Sequence, residues 1–127
     1  DEGLKSCDYL SLHIPLTEKT KKMINISKLS SMKRTAIIIN TSRGGIINEI
    51  DLNNALNEEI IFGAGLDVFE KEPVDEDNPL LKNKKVLLSP HSATFTNECR
   101  SRMSKETTKN IIDFFDQKID KSMIVKL

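Results

Sequence analysis

Short apolar blocks alternate along the chain with segments that carry the spacing of amphipathic helices. The apolar blocks predict strands at residues 8–14, 36–40, 61–66 and 86–88. The second block, AIIIN, is apolar and β-branched almost throughout, which is typical of a strand covered on both faces. Strands that alternate with helices favour a parallel sheet with crossover helices, so the pattern predicts an α/β fold.

The segments between these blocks carry helix start signals. Thr17 is predicted to cap a short turn, and Ser27 is predicted to cap a helix in which Leu29 and Met32 share one face. Asn48 is predicted to cap a second helix over residues 50–59. The apolar stripe of this second helix is predicted to consist of Ile50, Leu52, Ala55 and Leu56.

A long final helix is predicted after the fourth strand. It is expected to start near Thr94 or Thr96 and to run to about Gln117. Its candidate packing residues are Met103, Ile111, Phe114 and Phe115. In the loops, we interpret Glu70 and Lys71 as a solvated pair of charges, and the acidic run at residues 75–79 as a solvated loop.

Composition narrows the classes of function. The 127 residues hold 19 basic and 19 acidic side chains, mixed along the chain, so no nucleic-acid surface and no basic membrane patch is predicted. No apolar run approaches the ~18 residues of a membrane span and no signal segment is visible, so we expect a soluble cytoplasmic protein. Cys7 and Cys99 lack the spacing of a metal site and are expected to be free thiols.

Chemically active side chains follow three of the predicted strands. Arg43 comes just after the second strand in the run TSRGG, Asp67 and Glu72 follow the third strand, and His91 follows the fourth. The carboxyl ends of parallel strands meet at one edge of a sheet, and open α/β sheets bind their ligands at that edge. We therefore expect these four side chains to converge.

The four residue types suit proton transfer beside a carboxylate. Histidine exchanges protons near neutral pH, and a neighbouring carboxylate such as Glu72 stabilises the imidazolium and fixes which ring nitrogen faces the substrate. The guanidinium of Arg43 offers a planar fork to a substrate carboxylate, and the glycines after it let the backbone come close to a ligand. The combination fits oxidoreduction at the carbon next to a carboxylate, although these residues reveal no hydride carrier.

Four motifs occur in the order and spacing of one known family. They are SLHIPLT at residues 11–17, INTSRGGIIN at 39–48, GAGLDVFEKEP at 63–73 and SPHSA at 89–93. The chain resembles the D-isomer-specific 2-hydroxyacid dehydrogenases, the group that includes D-3-phosphoglycerate dehydrogenase and hydroxypyruvate reductase. The resemblance implies part of a Rossmann-type doubly wound sheet and an oxidoreductase that interconverts a D-2-hydroxyacid and its 2-oxoacid, with NAD, or alternatively NADP, as cofactor.

The resemblance also implies a role for individual residues. Arg43 would anchor the carboxylate and carbonyl of the substrate, His91 would act as acid and base, and Glu72 would support His91. No metal ligand is implied. The implied cofactor contacts are Thr41, Arg43, Asp67 and His91 at the nicotinamide end, and His13, Pro15 and Thr20 on the ribose or phosphate side.

One part of the family pattern is missing from the chain. The family binds its dinucleotide on a Gly-rich strand-to-helix turn, and the run Gly63-x-Gly65 lacks the third glycine and sits inside a strand. We therefore interpret residues 1–93 as the second half of an NAD-binding domain and residues 94–127 as a crossing helix and tail. On this interpretation the fingerprint and the substrate domain are absent, the full-length protein is a homodimer, and the isolated segment is inactive.

A second class of function stays open at this point. Some relatives of the family act as dinucleotide-sensing corepressors and keep the same arginine, glutamate and histidine. A binding module is therefore the alternative to an enzyme, and the two would be distinguished by whether the full-length protein has a substrate domain with ordinary enzyme loops.

Overall fold

The computed structural model describes residues 2–124 and divides into two compact units, with the division after Ser92. The strands of the first unit are β1 (Tyr9–Leu12), β2 (Ile37–Asn40), β3 (Gly63–Leu66) and β4 (Val86–Leu88). Its helices are α1 (Glu2–Ser6), α2 (Ile26–Ser30), α3 (Glu49–Asn57) and a short 3₁₀ helix (Pro79–Lys82). The second unit contains α4 (Asn97–Phe115) and a 3₁₀ turn (Lys121–Met123). Residues 125–127 of the predicted tail lie outside the described residues.

The four strands form one parallel sheet in the order β1-β2-β3-β4. Tyr9 lies opposite Ile37, Ile37 lies opposite Gly63, and Ala64 lies opposite Val86. All four carboxyl ends therefore lie at the same edge of the sheet. The predicted α/β class, with a Rossmann-type parallel sheet and a long C-terminal helix, is confirmed.

The core lies where the sheet packs against α2 and α3, which contact each other. In α3, Leu52, Ala55 and Leu56 are fully buried, as predicted. Ile50 was predicted to join this stripe and does not, because its side chain is 68% exposed. Two positions along a helix turn the side chain by about 200°, so Ile50 points away from the face that Leu52 buries.

Three predicted strands and one predicted helix start differ in the structure. The first, second and third strands were predicted at 8–14, 36–40 and 61–66, and each is shorter, with four residues paired. Asn25, and not Ser27, caps α2 by accepting the backbone N–H of Lys28. Asp51 adds a second acceptor at this helix start, with its Oδ2 2.9 Å from the backbone nitrogen of Ile26.

The helix of the second unit is capped as the sequence predicts. Thr96 Oγ1 accepts the backbone N–H of Cys99 at 3.1 Å, so Thr96 and not Thr94 is the cap. The four candidate packing residues of α4 are all exposed, from 52% for Met103 to 79% for Phe115, so their predicted packing is not found in this chain. Among residues 2–124 no helix is long and apolar enough to span a membrane, and both cysteines are free thiols.

Candidate active site

Asn40 at the end of β2 shapes the loop that carries Arg43. The Asn40 side chain is buried, and its Nδ2 donates to the backbone oxygen of Arg43 at 2.9 Å. Its Oδ1 accepts from the backbone nitrogen of Ser42 at 3.1 Å and from the Ser42 hydroxyl at 2.9 Å. A buried amide is stable only when it is hydrogen-bonded in this way. The signal in the sequence was an amide at the end of an apolar run, and its meaning was missed.

The two glycines after Arg43 let this loop pass close to its neighbour. A Cβ atom on Gly44 would lie 1.7 Å from the backbone oxygen of Phe69, so no side chain fits there. Gly45 has a φ of +78°, which glycine adopts at little cost. The loop of Arg43 therefore touches the backbone of the loop that carries Glu72.

Arg43 itself is exposed in the loop after β2. Its Nη1 donates to the backbone oxygen of Ser42 at 2.7 Å. The guanidinium therefore lies at the predicted edge of the sheet, and its planar fork is held against its own loop.

His91 and Glu72 form a direct pair at the same edge. His91 Nδ1 lies 2.7 Å from Glu72 Oε2, and Glu72 Oε1 accepts the backbone N–H of Phe69 at 3.0 Å. Both oxygens of the carboxylate are therefore used, one to fix the imidazole and one to fix the carboxylate itself. Because Nδ1 faces the carboxylate, Nε2 is the ring nitrogen left to meet a substrate.

Asp67 holds the loop that carries His91. The Asp67 residue is 2% exposed, and its Oδ1 accepts from the Ser89 hydroxyl and from the backbone nitrogen of Ser92 at 2.8 Å. Its backbone oxygen accepts the N–H of His91 at 2.9 Å. His91 takes a left-handed backbone conformation, with φ of +51°, which few non-glycine residues adopt. The contact from Ser89 was not foreseen from the sequence.

The predicted convergence is only partly found. Asp67, Glu72, Ser89 and His91 line one pocket of about 450 Å³, a volume within the usual range for small-molecule sites. The apolar wall of this pocket consists of Phe69, Pro73, Val74, Leu81, Leu88 and Pro90. Arg43 is not among the lining residues, although Gly44 beside it contacts Phe69.

The predicted contacts for the ribose or phosphate side lie in the loop after β1. His13 Nε2 is 2.8 Å from the Ser11 hydroxyl. The Thr20 hydroxyl donates to the backbone oxygen of Pro15 at 2.7 Å and closes the turn that begins at Thr17. His13, Pro15 and Thr20 follow the carboxyl end of β1, and Thr41 follows that of β2. None of these four residues lines the pocket, so their cofactor roles stay predictions. Among residues 2–124 no group of three His, Cys, Asp or Glu side chains could hold a metal ion.

The electrostatics of the pair favour an ionised carboxylate. The hydrogen bond from His91 lowers the pKa of Glu72 below its ordinary value of 4.5, the Phe69 N–H lowers it further, and partial burial opposes both. A carboxyl group whose pKa is lowered on folding stabilises the fold at pH values above 4.5. This stabilisation is lost as the pH falls through the lowered pKa of the folded state.

We expect the Glu72 carboxyl group to titrate below pH 4.5 in the folded chain. In a His91→Ala variant it should titrate at higher pH, because the imidazole contact is the largest cause of the lowered pKa. The measurement is the NMR chemical shift of the side-chain carboxyl carbon in isotope-labelled protein as the pH is changed. Glu72→Gln identifies the resonance. A Glu72 titration that is the same with and without the imidazole would show that the contact does not operate in solution.

Comparisons with known proteins place the chain in a family. Residues 1–93 match the family profile of the D-isomer specific 2-hydroxyacid dehydrogenase, NAD binding domain. The chain is 51% identical over 111 residues to a glyoxylate reductase of Korarchaeum cryptofilum, covering 87% of this chain and 33% of that protein. It is 42% identical over 124 residues to a glyoxylate reductase of Aeropyrum pernix, covering 98% and 37%.

A solved structure shows the same fold around a bound cofactor. The D-isomer specific 2-hydroxyacid dehydrogenase of Lactobacillus delbrueckii ssp. bulgaricus, in its NAD complexed form, superposes with a TM-score of 0.85 at 30% identity. The match covers 95% of this chain and 41% of that one. The chain thus spans 33% to 41% of the length of these three proteins. The chain belongs to the D-isomer-specific 2-hydroxyacid dehydrogenase family, and residues 1–93 match its NAD-binding domain.

Proposed function

We propose that this chain is part of an NAD(P)-dependent oxidoreductase that interconverts a D-2-hydroxyacid and its 2-oxoacid. The observation that carries the proposal is the His91–Glu72 pair, 2.7 Å apart, at the carboxyl-terminal edge of a parallel sheet in an NAD-binding family. The imidazole has one nitrogen fixed by a carboxylate and the other available. This is the arrangement that a general acid and base needs for an oxygen-bound proton.

The residues at the edge fit the nicotinamide end of the cofactor. A nicotinamide is a flat ring with one amide, and the pocket pairs an apolar wall with the polar groups of Asp67 and His91. Thr41, Arg43, Asp67 and His91 would hold that end, and the loop with His13, Pro15 and Thr20 would face the ribose or phosphate side. When bound, the cofactor supplies or accepts a hydride at the substrate carbon.

In the direction of reduction, this chain's residues bind the 2-oxoacid and protonate it. The Arg43 guanidinium holds the substrate carboxylate through two parallel hydrogen bonds. The imidazolium of His91 gives the proton on Nε2 to the carbonyl oxygen, and Glu72 stabilises the cation until the proton leaves. In the direction of oxidation, neutral His91 takes the hydroxyl proton back at the same nitrogen.

The substrate, the oligomeric state and the location of the protein are part of the same proposal. The substrate is a small 2-hydroxyacid or 2-oxoacid, and glyoxylate is the first to test because relatives bear the name glyoxylate reductase. The full-length protein is a cytoplasmic homodimer on this proposal. The two free thiols, Cys7 and Cys99, are compatible with a reducing compartment.

We expect a chimera to reduce glyoxylate with NADH or NADPH. In the chimera, this chain replaces the matching segment of the Aeropyrum pernix glyoxylate reductase, with which it aligns over 98% of its length. The relative supplies the parts that this chain lacks, and this chain supplies Arg43, Glu72 and His91. The measurement is the loss of NAD(P)H absorbance against substrate concentration, with the unaltered relative as the positive control.

The outcome also separates the two classes of function. A folded chimera that binds NAD(P)H but turns over neither glyoxylate nor hydroxypyruvate would contradict the proposal and favour a binding module. Thermal unfolding confirms that the chimera is folded before its activity is judged.

A further inference from the structure

We propose that Glu70, together with Glu49 and Lys22, forms a positioning cluster that holds the loop of Arg43 and the loop of Glu72 in a fixed relation. The inference rests on the proposed function, because it concerns the geometry in which these two residues act. None of the three lines the pocket, so they are positioning residues and not catalytic residues.

Glu49 and Glu70 bind each other's backbone in a reciprocal way. The backbone nitrogen of Glu49 donates to Glu70 Oε1 at 3.1 Å, and the backbone nitrogen of Glu70 donates to Glu49 Oε1. Glu49 is the first residue of α3, so the Glu70 carboxylate also satisfies an N–H group at a helix start. The two bonds join the start of α3 to the loop just before Glu72.

Lys22 connects the same carboxylate to the loop of Arg43. Its Nζ lies 3.1 Å from Glu70 Oε2, and its backbone nitrogen donates to the backbone oxygen of Gly45 at 2.7 Å. Asn78 Nδ2 donates to Glu49 Oε2 at 2.7 Å, which supplies a further partner on the other carboxylate. The cluster therefore spans three segments that lie far apart in the sequence.

The cluster acts on Glu72 through one residue. The backbone N–H of Phe69, next to Glu70, is the group that fixes Glu72 Oε1, and the backbone oxygen of Phe69 is the group that Gly44 touches. A shift of Glu70 would therefore move the N–H group that orients Glu72, and with it the contact to His91. The same shift would weaken the contact between Phe69 and Gly44, which holds the Arg43 loop in position.

Glu70 is exposed, as the interpretation from sequence expected, but it makes more contacts than a simple surface ion pair. An exposed ion pair such as Lys71–Asp75 joins residues within one loop and contributes little. Glu70 is bonded instead to Lys22 and to the backbone of Glu49, and its side chain is 30% exposed. Glu70 and Lys71 are therefore both exposed as expected, although their charges pair with Lys22 and Asp75 and not with each other.

The test is Glu70→Ala in the chimera and in the 127-residue chain. In the chimera we expect kcat to fall about tenfold and KM for the 2-oxoacid to rise, because small displacements of reacting groups are costly. In the chain we expect the Glu72 carboxyl group to titrate at higher pH than in the wild type, because the Phe69 N–H no longer fixes it. Glu70→Gln keeps an acceptor for the N–H of Glu49 but loses the charged oxygen that meets Lys22, so it should restore only part of the lost turnover.

The matched control is Asp75→Ala, which breaks the Lys71–Asp75 pair in the same loop. We expect this control to leave kcat, KM and the Glu72 titration unchanged. Wild-type values for all three in Glu70→Ala, or equal changes in Asp75→Ala, would overturn the proposal. If Glu70→Ala fails to fold, Lys22→Met provides the test instead. Wild-type kcat, KM and Glu72 titration in a folded Lys22→Met variant would overturn the proposal. An inactive wild-type chimera would reject the proposed function, whereas the Glu72 titration in the chain still tests the cluster.

Discussion

Replacing His91 with alanine in the chimera is expected to lower kcat by about 100-fold or more, the scale of a lost general acid and base. The affinity for NAD(P)H should change little, because Thr41, Arg43 and Asp67 still hold the nicotinamide end on the proposed function. The measurements are steady-state kinetics with glyoxylate and direct titration of the cofactor. The expected pattern is therefore a loss of turnover without a loss of cofactor binding.

The control for this variant is Ser92→Ala. Ser92 is next to His91, and it contributes its backbone N–H to Asp67, which alanine keeps. We expect Ser92→Ala to retain turnover and thermal stability. Wild-type turnover with normal substrate affinity in His91→Ala would remove His91 from the mechanism.

Replacing Arg43 with lysine is expected to raise KM for the 2-oxoacid and to lower kcat together. The expected loss in kcat/KM is about 10- to 100-fold, which is the scale of hydrogen bonds to a charged group. Lysine keeps the positive charge but cannot present two parallel N–H groups to one carboxylate. Steady-state kinetics with glyoxylate, and with a neutral carbonyl analogue as a second substrate, measure the effect.

Arg34→Lys is the matched control for Arg43→Lys. Arg34 is also exposed, and it precedes β2, whereas Arg43 follows the same strand. It therefore lies at the opposite edge of the sheet, and its replacement should leave both constants unchanged. A lysine at position 43 with wild-type kinetics would mean that Arg43 only shapes the turn.

The sequence predicted the parallel sheet because apolar residues recur with different periods in its strands and in its helices. Runs such as AIIIN cannot form a surface helix, and the spacing of Leu52, Ala55 and Leu56 cannot form a strand. The pattern could not predict where each strand ends, because the end depends on the length of the neighbouring strand. The pattern also placed Ile50 on the wrong side of α3, since an apolar residue in the first turn of a helix does not have to face the core.

The sequence predicted those site residues whose side-chain chemistry alone indicates a role. Glu72 and His91 were expected side by side, and the structure places them 2.7 Å apart. The supporting contacts of Ser89 and Glu70 were not foreseen, because each joins segments that only the folded chain brings together. The contacts of Asn40 reach only two and three positions along the chain, and they were missed although they are local. Local sequence shows such residues as a strand end, a loop hydroxyl and a surface charge. The partners of Ser89 and Glu70 lie 21 to 48 positions away, beyond the reach of any helix or turn period.

The strand order of the sheet bears on how the chain is made. Neighbours in the sheet are also neighbours in the sequence, and each pair is separated by a connection of 19 to 24 residues. Chains leave the ribosome from their amino terminus, and domains tend to fold in that order. When each new strand is synthesised, the strand with which it pairs has therefore already been made. No strand has to insert between two that are already paired, so this sheet can grow one strand at a time during translation.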